Sequence, residues 1–268
     1  MELLQAIVLG LVQGAAEFLP VSSSGHLVIV PALFGWEDFS LGFDVLLHLG
    51  TLVAVVAYFR RDIVKLVLAA FSSDPERVHD KRLAWLIVAG TIPTGIIGLA
   101  FDDLFERLFE SVVWVGWFLL VTAAFLTLAD RLSRKSTHDA SRLSLPGALL
   151  VGVAQGMAIA PGISRSGATM AAGLGLGLDR EQAARFSFLL SIPIILLAGG
   201  KTALDLVTTA GEGMPPLLVC VAGFVASAVS GYAVIAGLLS WLKKHTLLAF
   251  AGYCAIAGSA VLVWQYAF

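Results

Sequence analysis

The chain has 268 residues, of which 58% are hydrophobic and only 13% charged, and its mean hydropathy is +0.90. A soluble domain carries about a quarter charged residues, so this composition excludes an ordinary water-soluble fold and indicates a membrane protein with several spans. The net charge of −2 identifies no partner, but the placement of charge along the chain is informative.

The N-terminus, MELLQAIVLG, has neither a basic start nor a small-residue cleavage site, so no removable signal peptide is expected. Residues 3–33 read as an apolar piece of helix length, a break at Leu19-Pro20-Val21-Ser22-Ser23-Ser24-Gly25, and a second apolar piece. Proline removes a backbone donor and glycine admits unusual dihedrals, so continuous helix is not expected there. Irregular backbone at membrane depth survives only where protein or a water-filled cavity satisfies it. The segment is therefore predicted to be a re-entrant helical hairpin.

Three apolar stretches of spanning length follow, at about 43–59, 83–101 and 112–130. The polar segment 60–82 between the first two holds Arg60, Arg61, Lys65, Arg77, Lys81 and Arg82. Asp102, Asp103, Glu106 and Glu110 read as a solvated outer loop, and segment 131–142 adds Arg131, Arg134, Lys135 and Arg142. Residues 146–178 then repeat the broken pattern, with the break at Pro161-Gly162-Ile163-Ser164-Arg165-Ser166-Gly167. Three more spans are expected at about 186–204, 216–241 and 246–267, with Arg180, Arg185, Lys243 and Lys244 in the adjoining turns. Cys220 and Cys254 sit in apolar stretches and read as small buried hydrophobes.

The loops at 34–42, 102–111 and 201–215 hold only Arg107 and Lys201 as basic residues, so the strongly basic loops are assigned to the cytoplasm. The expected fold is an all-α polytopic membrane protein: six transmembrane helices plus two re-entrant hairpins, in a single membrane domain. Residues 1–142 and 143–268 each contain one hairpin and three spans. An odd number of crossings per half makes the halves inverted repeats, an arrangement that tends to build its site at the midplane.

The two breaks carry related motifs. QGAAEFLPVSSSG at 13–25 and QGMAIAPGISRSG at 155–167 align at a constant offset of 142, matching Gln13, Gly14, Ser22, Ser24 and Gly25 with Gln155, Gly156, Ser164, Ser166 and Gly167. Glu17 and His26 face Ile159 and Ala168, whereas Arg165 faces Ser23, so one copy supplies an acid and a base and the other a fixed cation.

A glycine-flanked turn opening a helix presents free N–H groups and the positive dipole end. With Arg165 and the hydroxyls of Ser164, Ser166 and Thr169, the second motif suits a multi-oxygen anion, phosphate above all. The plainer reading is that the serines cap the helix and Arg165 pairs with Glu17; capping is expected as well. An intramembrane arginine nonetheless defaults to function.

Glu17 could hold a divalent cation or take a proton, and His26 could act as acid or base. Ser23 reads equally as a nucleophile and as a capping or phosphate-binding residue, since Ser22–Ser24 could cap a helix beginning near Gly25. Gln13 lies one turn before Glu17 on the same face and could bind a metal or phosphate. Asp44 and His48 also share a face; hydrogen bonding between helices is favoured for them over support of the site.

Gln13 to His26, with the run Pro161 to Thr169, resembles the two signature segments of the bacterial undecaprenyl-diphosphate phosphatases, the bacitracin-resistance protein type. The resemblance covers essentially the whole chain in length, spacing and span pattern. It implies an inner-membrane enzyme that hydrolyses undecaprenyl diphosphate to the monophosphate carrier used in peptidoglycan synthesis. It also implies a divalent-cation requirement (Mg2+ or Ca2+) and a site opening to the periplasmic side.

Residue by residue, the family's acidic motif falls on Gln13 and Glu17, its serine and histidine on Ser23 and His26, and its serine–arginine pair and threonine on Ser164, Arg165 and Thr169. Glutamine at position 13 leaves Glu17 as the motif's only carboxylate, which bears against a two-carboxylate metal site. The implied partners are the polyprenyl diphosphate and membrane lipids, with no nucleic acid; a homodimer is left open. A polyprenyl-phosphate carrier is the main rival, because inverted repeats with broken helices are common in transporters.

Overall fold

A computed structural model describes residues 2–37, 39–132, 139–208 and 214–267, and every regular element among them is helical. Arg134 and Lys135 lie outside the described residues.

The chain opens with α1 (Glu2–Phe18) and α2 (Ser23–Phe34). The residue before a proline disfavours helical dihedrals, and α1 ends just before Leu19-Pro20. Ser22 then takes φ 70°, a left-handed value uncommon outside glycine, and its Oγ caps α2 by accepting the Gly25 N–H at 3.3 Å. Helix α2 therefore begins at Ser23, two residues earlier than the serine run suggested.

Spans α3 (Leu41–Tyr58), α5 (Val78–Ala100) and α7 (Val112–Leu132) follow. Between them lie two short helices, α4 (Arg60–Ala70) and α6 (Asp102–Phe109). The second broken pair is α8 (Leu145–Met157) and α9 (Arg165–Gly175), followed by α10 (Arg180–Thr208), α11 (Leu217–Leu242) and α12 (Leu248–Ala267). Six of these helices (α3, α5, α7, α10, α11 and α12) are long and apolar enough to cross a membrane, at the positions expected.

Helices α4 and α6 replace what were expected to be loops. In α4 the buried Leu66 and Ala69 oppose exposed charges, and Lys65 reaches Asp80 of α5 at 3.0 Å. In α6 Phe105 is buried while the acidic residues gather at the N-terminal turn, where the helix dipole favours them. Both are amphipathic over only two or three turns, and their charge density resembles that of a loop.

Small residues bring the helices close. A Cβ on Gly10 of α1 would collide with the Gly223 carbonyl of α11, and one on Gly152 of α8 with the Gly90 carbonyl of α5. Beside these crossings Thr94 Oγ1 donates to the Gly152 carbonyl at 2.9 Å, and Ser227 Oγ to the Leu47 carbonyl at 2.7 Å. Buried aromatics fill the centre, with Phe18 packed edge-on against Phe188 at 5.2 Å. Buried Asp130 of α7 accepts from Arg180 at 2.9 Å and from the Leu247 N–H at 3.1 Å, joining three segments at one end. Cys220 and Cys254 are free and buried.

Candidate active site

The two helix breaks meet. Ser22 Oγ accepts the Gly162 N–H at 3.1 Å, and Ser166 Oγ donates to the Leu19 carbonyl at 3.1 Å. The contact is this close because glycine stands on both sides: Cβ atoms would lie 3.2 Å from Gly162 Cα at Gly25 and 3.3 Å from Pro20 at Gly167. Each break is also held by a span. Thr122 Oγ1 donates to the Gly162 carbonyl at 2.9 Å and accepts the Ser164 N–H at 3.1 Å, while Cys254 Sγ lies 3.6 Å from the Pro20 carbonyl.

Four side chains converge on one carboxylate. Arg165, the first residue of α9, donates from Nη2 to Glu17 Oε1 at 2.5 Å and from Nη1 to the Ser187 carbonyl at 3.3 Å. Glu17 Oε2 accepts from Ser23 Oγ at 2.6 Å and from Gln13 Nε2 at 3.0 Å. His48 Nε2 stands 3.6 Å from the same oxygen. Glu17 is only 5% exposed, and Arg165 15%. A lone buried charge costs several kcal/mol or more, so each member of this pair makes the other tolerable. A hydroxyl donating to a carboxylate at hydrogen-bonding distance is also the arrangement of a nucleophile and its base.

Glu17, Ser23, His48 and Arg165 line a cavity of about 340 Å³, with Gln13 buried behind Glu17. Its polar wall comprises Glu17, Ser23, Ser24, Asp44, His48, Thr94, Gln155 and Arg165, and its apolar wall includes Leu27, Val28, Ile159, Ile163, Ile194 and Ile195. Asp102 and Lys201, joined as an ion pair, stand at its far end with Leu41 and Phe109. A charged pole beside an apolar wall suits an amphiphile with an anionic head.

Of the residues singled out by sequence, Gln13, Glu17, Ser23 and Arg165 come together. Ser22, Ser164, Ser166 and Thr169 are buried behind them with their hydroxyls engaged by protein. Ser164 Oγ caps α9 through the Gly167 N–H at 3.0 Å, and Thr169 Oγ1 contacts Ser187 Oγ at 2.6 Å. These four shape the turns, and α9 opens toward the cavity with Arg165 at its first position.

His26 is not brought to the cluster. Its Nδ1 bonds the Ser22 carbonyl at 2.7 Å, its Nε2 meets Tyr253 Oη at 2.6 Å, and its ring stacks on Tyr253 of α12. The histidine beside Glu17 is His48, where the sequence favours hydrogen bonding between helices. Its Nδ1 bonds the Asp44 carbonyl within its own helix at 2.8 Å, leaving Nε2 directed at the site. Gln155 and Thr94 also join the wall; the only hint in the sequence was the alignment of Gln155 with Gln13.

A hard divalent cation takes carboxylate and amide oxygens together with phosphate oxygens. Among the described residues no group of three or more His, Cys, Asp or Glu side chains could hold a metal alone. Gln13 Oε1, however, is buried without a hydrogen-bond partner, on the amide that touches Glu17. The donors therefore fit a cation shared with a bound phosphate group.

The profile of the family described as bacitracin resistance protein BacA matches residues 6–260. The chain is 46% identical over 276 residues to an undecaprenyl-diphosphatase of Methanosphaera stadtmanae, covering 98% of each protein. It is 48% identical over 267 residues to undecaprenyl-diphosphatase 2 of Stutzerimonas stutzeri, again covering 98% of each. With an undecaprenyl-diphosphatase of Moorella thermoacetica the identity is 44% over 262 residues, covering 98% of this chain and 97% of the relative.

Proposed function

The chain belongs to the bacitracin resistance protein BacA family, and from this and the site's geometry we propose that it hydrolyses undecaprenyl diphosphate to undecaprenyl phosphate and inorganic phosphate. That activity would recycle the lipid carrier of peptidoglycan synthesis and counter bacitracin. The observation that carries the reading is Ser23 Oγ donating to Glu17 Oε2 at 2.6 Å while Arg165 holds the other carboxylate oxygen. A lipid carrier protein would need the arginine but not a nucleophile paired with a base.

Phosphoryl transfer depends mainly on positioning and charge stabilisation. Arg165 and the first N–H groups of α9 receive the terminal phosphate, exchanging part of the Glu17 contact for it. Ser23 Oγ attacks the terminal phosphorus and its proton passes to Glu17. The bond from that phosphorus to the bridging oxygen breaks, and Glu17 gives the proton to the departing undecaprenyl phosphate. Water then attacks the phosphoserine; Glu17 takes its proton and returns it to Ser23 Oγ as inorganic phosphate leaves. A divalent cation held by Glu17, Gln13 Oε1 and phosphate oxygens would neutralise diphosphate charge. The apolar wall takes the first isoprene units.

In this reading α1–α2 and α8–α9 are re-entrant hairpins heading inverted repeats. Support comes from equivalent contacts at the offset of 142: Gly10 and Gly152 each press on a glycine carbonyl of a span, and Gly25 and Gly167 each pack on the opposite break. The site opens to the periplasm of an inner membrane. Support here is that the cavity is lined by Leu41 at the start of α3, Asp102 just past the end of α5 and Lys201 in the last third of α10. Arg60 just past α3, Lys81 in the first turn of α5 and Arg180 at the start of α10 lie at the opposite ends of those spans.

The test is release of inorganic phosphate from a long-chain polyprenyl diphosphate by detergent-purified protein, with and without chelator, beside Arg165→Ala. Cation-dependent release, lost in the variant, is expected. No release by well-folded wild-type protein with added Mg2+ or Ca2+ would overturn the reading.

A further inference from the structure

Two side-chain atoms among the described residues are buried without a hydrogen-bond partner, and both are glutamine carbonyl oxygens: Gln13 Oε1 and Gln155 Oε1. They occupy equivalent positions in the two motifs. An unsatisfied buried acceptor is destabilising, and two at equivalent places, Gln155 lining the cavity and Gln13 bonded to the Glu17 that lines it, call for a ligand. Gln13 is accounted for by the cation site; Gln155 has no role in the steps above.

Hydrogen bonding fixes which way the Gln155 amide points. Thr94 Oγ1 gives its only proton to the Gly152 carbonyl at 2.9 Å, so toward Gln155 it can only accept. Gln155 Nε2 lies 3.1 Å from it and is the donor. The opposite orientation would set two acceptors against each other, so Oε1 faces away from Thr94. Gln155 is 1% exposed, and both it and Thr94 line the cavity that holds Glu17, Ser23 and Arg165.

A carbonyl oxygen repels phosphate oxygens, which are themselves acceptors, but it receives a proton from water. Water donating one hydrogen to Gln155 Oε1 and the other to Glu17 keeps a lone pair for phosphorus. We infer that Gln155 is a positioning residue whose Oε1 orients the water that hydrolyses the phosphoserine. In that step the water oxygen bonds phosphorus, the P–Oγ bond of Ser23 breaks, and the water proton reaches Ser23 Oγ through Glu17. Thr94 anchors the amide. The inference rests on the phosphatase reading.

The experiment compares wild type, Gln155→Met, Gln155→Glu and Thr94→Val in detergent with a long-chain polyprenyl diphosphate radiolabelled at the terminal phosphorus. Gln155→Met should lower kcat about 100-fold and KM with it, leaving kcat/KM near the wild-type value, and should accumulate acid-stable label on Ser23 that wild type turns over. Gln155→Glu, which keeps an acceptor oxygen, should retain more turnover than Gln155→Met. Thr94→Val should show the same signature at reduced depth, and with Gln155→Glu it carries the test if Gln155→Met does not fold. Wild-type kcat in the folded variants, or a raised KM with kcat unchanged, would overturn the inference. A wild-type protein that releases no phosphate would instead overturn the underlying reading.

Discussion

Arg165 Nη2 and Glu17 Oε1 lie 2.5 Å apart although 148 positions separate the residues in the chain. Arg165 opens α9 and Glu17 lies in the last turn of α1, so the ion pair exists only because the two helix breaks interlock. Removing one partner of a buried pair costs about 3–5 kcal/mol. Glu17→Gln should therefore lower the thermal midpoint sharply and abolish activity. Glu17→Gln combined with Arg165→Met should recover part of the midpoint and none of the activity, as read by thermal unfolding and phosphate release.

The close crossings make a selective prediction about glycines. Gly10→Ala and Gly152→Ala would each drive a methyl into a backbone carbonyl, and Gly162→Ala would add a positive φ of 98° to contact with the Val115 backbone. A strained backbone alone costs about 1–3 kcal/mol. All three should lose thermal stability, whereas Gly95→Ala and Gly237→Ala, with open space around the added carbon, should hold or gain it.

His26 contacts Tyr253 and the Ser22 carbonyl and does not face the cavity. Its influence on chemistry then passes through the strained turn at Ser22. His26→Ala and Tyr253→Phe should lower kcat by similar, modest factors. A loss in His26→Ala as deep as in Ser23→Ala, with Tyr253→Phe unaffected, would instead make His26 a proton carrier.

Lys201 and Asp102 pair at the cavity mouth with side chains about half exposed. Such a pair contributes about 0–1 kcal/mol to stability, but a cation there attracts an anionic headgroup. Lys201→Gln should leave the thermal midpoint unchanged and raise KM at low salt. The difference should shrink as ionic strength rises.

The spans were legible because apolar runs of crossing length are bounded by charge, and the breaks because Pro20 and Pro161-Gly162 interrupt them. Glu17 beside Gln13 followed from helical spacing, and Arg165 from the rarity of a cation at such depth. Which hydroxyl of Ser22, Ser23 and Ser24 meets Glu17 was not legible, since the φ of 70° at Ser22 sets the rotation of α2. The same rotation turns His26 toward α12, and packing of α3 brings His48 in its place. Gln155 drew no notice as chemistry because its role depends on how Thr94 orients its amide, which no sequence pattern encodes.

The most direct measurement is phosphate release by Ser23→Ala beside wild type, on protein shown by thermal unfolding to be folded. The expected result is a fall of at least about 1,000-fold in kcat. Ser23→Ala releasing phosphate at the wild-type rate would contradict the assignment of Ser23 and Glu17 as nucleophile and base.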